Sequence, residues 1–422
     1  MLQVIHAGWI IPIRPKKTIL TNYSLIIQDS RIVALIPTTE WIEPSEKYEC
    51  IDCKNDVLLP GLVNTQAGAS LSLLRGIDHT DNRYSWLKKG FLPKDFEGQT
   101  DQFIKDSVLI AGAEMLLSGT TCFSELCVSG EYVAASTISL GMRSVPGILI
   151  SNESNIWSTN LDDSLAKAQS LYDKYRSHPL INWTFATQIS DITQRDTLSR
   201  LGTIGDELDL SLRVNISANL SQASNLMELE PVNLIGRKLI VSHVPPLHES
   251  DIQLIKKCGI SICHTPSNSI NTSNQECEIS MLNNSGCDFG LGTDSSLNNS
   301  MFDLFKEMRV ASLQLFPKDK EDILNAFDII ELATLGGASV LGMEDDIGTL
   351  ESGKSADIVS INLKEGLSGP LYNIEQLIVN RGDSSQVRQV WVRGKRVVKD
   401  GALTTIDSKN LSNRSQAWNL SR

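Results

Sequence analysis

The chain has 422 residues, 41% of them hydrophobic and 21% charged, with a formal net charge of −12. A chain this long buries a large core, either as one big domain with an appendage or as two to three smaller domains. The acidic balance and the lack of a Lys/Arg stripe argue against nucleic acid and anionic membrane as partners, and no apolar run reaches membrane-spanning length.

In chain order, Met1 to Pro15 is apolar, but no basic residue precedes the apolar stretch and Pro12 and Pro15 interrupt it. It does not read as a secretory leader, and a cytoplasmic location is the expectation. "LQVIHAGWIIPI" and "YSLIIQDSRIVALI" read as strands, with Asp29 and Ser30 at a hairpin turn. The eight cysteines are scattered. Cys50 and Cys53 form C-x-x-C, but without a second pair at zinc-site spacing they read as core thiols.

From residue 57 the pattern changes to short apolar strands separated by helical stretches. Strands are predicted at 57–63, 120–126, 143–151, 181–187, 211–217, 238–243, 259–264 and 287–293. Ile104, Val108, Ala111 and Met115 share one helical face that Gly119 ends. "HESDIQLIKKCG" repeats the plan, with Ser250 as expected N-cap and Gly259 as stop. A helical pair follows the last strand. "ADIVSINL" and "QVRQVWVRGKRVV" then return to strand patterning around a Gly394 turn.

Eight strands alternating with helices is the count that closes a parallel barrel, and no G-x-G-x-x-G follows an early strand to favour an open dinucleotide-binding sheet. In such a barrel, functional side chains sit at the C-terminal strand ends. Those ends carry Gln66 and Gly68, Glu125, Ser151, Gln188, Asn215, His243, His264 and Asp294. Of these, His243, His264 and Asp294 are suited to bind a metal or move protons. Glu125 reads as structural, His79 as solvent-facing, and Ser295 and Ser296 as turn formers.

"LPGLVNTQAGASLSLLRG", "AGAEMLLSGTTCF", "VSHVPPLHESDIQLI", "LGTDSSLNNSMFDLFKEMR" and "GTLESGKSADIVSINL" resemble, in order and over nearly the whole chain, the amidohydrolase superfamily. The resemblance is to its 5′-methylthioadenosine/S-adenosylhomocysteine deaminase-like (TRZ/ATZ-type hydrolase) branch. It implies an α/β fold: a distorted (β/α)8 TIM barrel over 57–354, plus a small β-sandwich formed by the N- and C-terminal segments, 1–56 and 355–422. It also implies zinc-dependent hydrolysis of C–N bonds in cyclic amidines.

The residues depart from that pattern where the chemistry sits. The branch's N-x-H-x-H ligands correspond to Gln66 and Gly68, its H-x-x-E pair to Asn215 and Ala218, and the substrate-holding histidine of H-A-P-Y to Gln188. Its S-N-x-K-L-A-S-G loop has become "PSNSINTSN". What remains is His243, which in the branch faces the metal-bound water, and Asp294, the last ligand and proton acceptor. In "FLPKD", Asp95 stands where a glutamate contacts a ribose. Zinc lowers the pKa of bound water from about 15.7 to about 7, worth roughly 12 kcal/mol at most. Amides neither bind zinc well nor accept protons near neutrality, so they do not replace it.

The expectation is therefore a lapsed deaminase without zinc, binding a small purine-nucleoside-like ligand through Asp95 and Gln188, or a protein partner. It is expected as a homo-oligomer or in a hetero-oligomer with a homologue. The alternative is a divergent C–N hydrolase or deaminase with a single metal or a proton-transfer site rebuilt on His243, His264 and Asp294.

Overall fold

A computed structural model of the chain describes residues 1–76, 100–127, 129–151, 154–155, 157–189, 195–216, 239–242, 247–272, 279–295, 301–315, 324–363 and 371–418. Four strands open it: β1 (Leu2–Ile10), β2 (Leu20–Gln28), β3 (Arg31–Pro37) and β4 (Tyr48–Pro60). Asp29 turns β2 into β3 at φ 55°, a left-handed conformation that aspartate tolerates better than most residues. Cys50 is exposed and Cys53 buried on β4, so the C-x-x-C thiols lie on opposite faces.

The barrel strands follow: β5 (Leu62–Asn64), β6 (Ala67–Gly68), β7 (Thr120–Cys127), β8 (Arg143–Leu149), β9 (Thr184–Ile189), β10 (Ser211–Ile216), β11 (Leu239–Ser242), β12 (Ile260–His264), β13 (Phe289–Leu291) and β14 (Asp294–Ser295). They pair in parallel in the order β13-β12-β11-β10-β9-β8-β7-β5. At the open seam the Thr65 amide donates to Leu291 O at 2.9 Å, and the short β6 and β14 pair with each other above it. The result is a nearly closed (β/α)8-like barrel.

Alternation sorts its side chains. Phe123, Leu212, Val214, Val241 and Ile262 pack in one cluster with helix residues such as Val108 and Phe305. Val63, Cys122, Val145, Ile240 and Cys263 form a separate cluster with Ala338 and Val340, the filled interior of a barrel of this kind. The helix Thr100–Leu117 buries the expected face, and Gly119 ends it at φ 84°. No helix among the described residues is long and apolar enough to cross a membrane.

The chain returns with β15 (Ile358–Asn362), β16 (Val387–Val392), β17 (Lys395–Lys399) and β18 (Ala402–Leu403). These join the first four in one mixed sheet of order β18-β17-β16-β15-β4-β1-β2-β3. Ile32 of β3 and Trp391 of β16 share one core, so the sheet curls over on itself. At its junction with the barrel, Arg143 at the start of β8 donates to Asp357 through Nε (2.7 Å) and Nη2 (3.2 Å), both side chains being buried.

Two local expectations are corrected. The run 57–63 is not one strand: residues 57–60 pair with β15 and the barrel strand starts at Leu62. Gly61 is the break, because a Cβ there would lie 2.1 Å from Thr121 Oγ1. The N-cap of the helix Glu249–Cys258 is His248 rather than Ser250, since the Asp251 carboxylate accepts from the His248 amide at 2.8 Å.

Candidate functional site

At the C-terminal end of the barrel, β5 runs into Thr65 and Gln66. Asn64 ties this rim to the last strand, donating through Nδ2 to Thr293 Oγ1 at 2.8 Å and accepting from the Thr293 amide at 3.2 Å. The Gln66 carbonyl accepts from the amides of Thr293 (2.9 Å) and Asp294 (2.8 Å). Asp294 is buried and held at φ 57°. First and last strands are thus laced together through the Asn64 side chain and the Gln66 carbonyl.

The first of the zinc-ligand positions implied by resemblance, Gln66, is buried, and its Oε1 accepts from Nη1 of Arg213. Arg213 lies on β10 two residues before Asn215 and is fully buried. Its side chain crosses the barrel, with Nη2 donating to Thr65 O (2.8 Å) and Ser124 Oγ (2.9 Å). Sequence reading missed it. The available signal was parity, since Arg213 shares the inward face of Asn215.

The second position, Gly68, is closed by shape. A Cβ added there would lie 2.7 Å from Ser295 Cα and 2.8 Å from Ser295 Cβ, so no histidine fits without moving β14. The third, Asn215, accepts through Oδ1 from the Ser242 hydroxyl. Zinc takes thiolate, imidazole or carboxylate donors. An amide already bound to a guanidinium, a glycine without room for a Cβ and an amide occupied by a serine do not fit it.

Among the other expected residues, His264 has the parity of Ile260 and Ile262, which pack toward the helices. Its Nε2 lies 3.4 Å from Gln314 Oε1 on the helix Leu304–Gln314, and burial pulls the imidazole down to about 4. Glu125, at the end of β7, is fully buried and accepts from Ser70 N (3.1 Å) and Ser70 Oγ (2.7 Å). Burial pushes its carboxyl up to about 7, opposed by those hydrogen bonds and by the charge of Arg213. The Gln188 backbone pairs with Asn215 across β9 and β10. His79, Asp95, Ala218, His243 and Ser296 lie outside the described residues. Among the described residues, no group of three or more His, Cys, Asp or Glu side chains is arranged to hold a metal ion.

A family model described as the amidohydrolase family matches residues 214–397. A 5-methylthioadenosine/S-adenosylhomocysteine deaminase from Saccharophagus degradans is 30% identical over 99% of this chain and 96% of its own length. A protein of the same name from Teredinibacter turnerae is 30% identical over 98% and 96%. Among solved structures, an adenosine deaminase from Xanthomonas campestris with bound zinc superposes with a TM-score of 0.91 at 27% identity, covering 99% of this chain and 97% of its own.

Proposed function

The chain belongs to the amidohydrolase family, in its 5-methylthioadenosine/S-adenosylhomocysteine deaminase-like branch, and we propose that it keeps the barrel mouth as a binding site without zinc-dependent deamination. The ligand in this reading is a small, purine-nucleoside-like molecule, a class taken from what the related deaminases are named for. Asp95 would meet a ribose and Gln188 would line the pocket.

One observation carries the reading: all three former ligand positions are engaged in something else, Gln66 by Arg213, Gly68 by the packing of Ser295 and Asn215 by Ser242. Zinc would supply a hydroxide at neutral pH. Here the same positions hold neutral groups knit to a guanidinium, which orient and exclude but generate no nucleophile. His264 supports this reading over a centre rebuilt on His243, His264 and Asp294, because its ring reaches Gln314 on the helix side. In this reading the chain is cytoplasmic, which the free cysteines among the described residues support, and works as an oligomer with itself or with a homologue.

The test is turnover. Purified chain supplied with zinc and incubated with 5-methylthioadenosine, S-adenosylhomocysteine or adenosine is expected to leave the adenine absorbance unchanged. Deamination that disappears in both His243→Ala and Asp294→Asn would instead establish an active hydrolase.

A further inference from the structure

Arg213 carries a guanidinium, a positively charged group with five N–H donors. It is entirely shielded from solvent, and an ion buried in this way costs several kcal/mol unless a partner answers it. Among the described residues its acceptors are Gln66 Oε1, Thr65 O and Ser124 Oγ, all neutral, and its Nε–H has no acceptor. Among the described residues it forms no ion pair. The acid whose field reaches it, Glu125, turns its oxygens to Ser70.

Arg213 lies two residues before Asn215 on the inward face of β10, and its guanidinium reaches Thr65 and Gln66 at the C-terminal end of β5. Among the described residues the groups it bonds, Gln66, Thr65 and Ser124, are polar and neutral, and Asn215 and Ser242 bond each other on the neighbouring strands β10 and β11. The disagreement with zinc is therefore specific: the first implied ligand position, Gln66, is bonded to a cation that is covalently part of the chain and offers N–H donors instead of an open coordination position. A guanidinium is matched by an oxyanion, with its planar fork and charge-assisted hydrogen bonds.

We propose that the barrel mouth is an oxyanion site centred on Arg213, and that its ligand carries a carboxylate or phosphate group that pairs with this guanidinium. The inference rests on the reading of the mouth as a zinc-free binding site, and it adds the charge that the ligand must bear.

The experiment is a thermal-unfolding titration of the full chain, checked to be metal-free, with acetate, succinate and inorganic phosphate at constant ionic strength balanced with sodium chloride. At least one of them is expected to raise the wild-type midpoint saturably, on the order of 2 °C or more at saturation. A carboxylate and phosphate that differ in half-saturation by tenfold or more identify the source of the oxyanion. The rise is expected to vanish in Arg213→Gln and to persist, with weaker half-saturation, in Arg213→Lys. A flat or unsaturable wild-type response would mean that the charge is answered within the chain, by Asp294 or Glu125, and would overturn the proposal even if Arg213→Gln does not fold. An equal saturable rise in wild type and Arg213→Gln would also overturn it. Neither result touches the zinc reading, which fails on metal content or turnover.

Discussion

Two buried arginines cross-brace this molecule, and they are answered in opposite ways. Arg143, where the barrel meets the curled sheet, faces the buried Asp357 carboxylate at 2.7 Å and 3.2 Å, with Ser355 Oγ at 2.8 Å and Asp346 at 3.0 Å. Arg213 spans from β10 to the end of β5 and to β7, and among the described residues it bonds only neutral oxygens. A closed pair at a junction is a structural tie, because every charge is matched inside the fold. An open charge at the end of a barrel where ligands bind is a charge kept for something else.

The contrast is broken most strongly from the Arg143 side. Arg143→Met leaves the buried Asp357 carboxylate without its cation, held only by Ser355 Oγ and the Arg393 amide among the described residues, and is expected to cost about 3–5 kcal/mol of unfolding free energy in urea. Arg213→Gln forfeits hydrogen bonds but also removes an unanswered charge, and is expected to cost only about 1 kcal/mol. Equal losses would show that both arginines are structural.

A smaller effect sharpens the mouth itself through pH. Glu125 has its carboxyl raised from 4.5 to about 7 in the fold, so its contribution is full below 4.5 and lost as pH rises through 7. His264 has its imidazole lowered from 6.5 to about 4, so its contribution is full above 6.5 and lost as pH falls through 4. Each is worth on the order of 3 kcal/mol, with opposite sign. Between about pH 4.5 and 6.5 the two should largely cancel in the wild type. Glu125→Gln should expose a stability that climbs with pH in this window, and His264→Gln one that falls, both read from denaturant midpoints. Parallel profiles in the two variants would contradict these environments.

Much of the barrel was legible because apolar runs and their spacing are local properties: seven of the eight expected strands sit within a few residues of β7 to β13. The first was misjudged because a continuous apolar run does not reveal that Gly61 hands the chain from one sheet to another. That Gln66, Gly68 and Asn215 are poor zinc donors was equally legible, since it is a property of the residue types. What filled the gap was not. "SLRVNIS" looks like an alternating strand with a solvent-facing arginine until the ring closes and turns that face inward. His264 shows the converse, a residue at a functional strand end whose parity with Ile260 and Ile262 turns it to the helices.

The central claim is that the chain's own residues have taken the place of zinc at the mouth. Its most direct test is elemental mass spectrometry of protein expressed without a metal-binding tag and with zinc, iron and manganese available. The account predicts less than about a tenth of an equivalent of any of them, the level of adventitious binding. Close to one equivalent, lost in His243→Ala or Asp294→Asn, would contradict it.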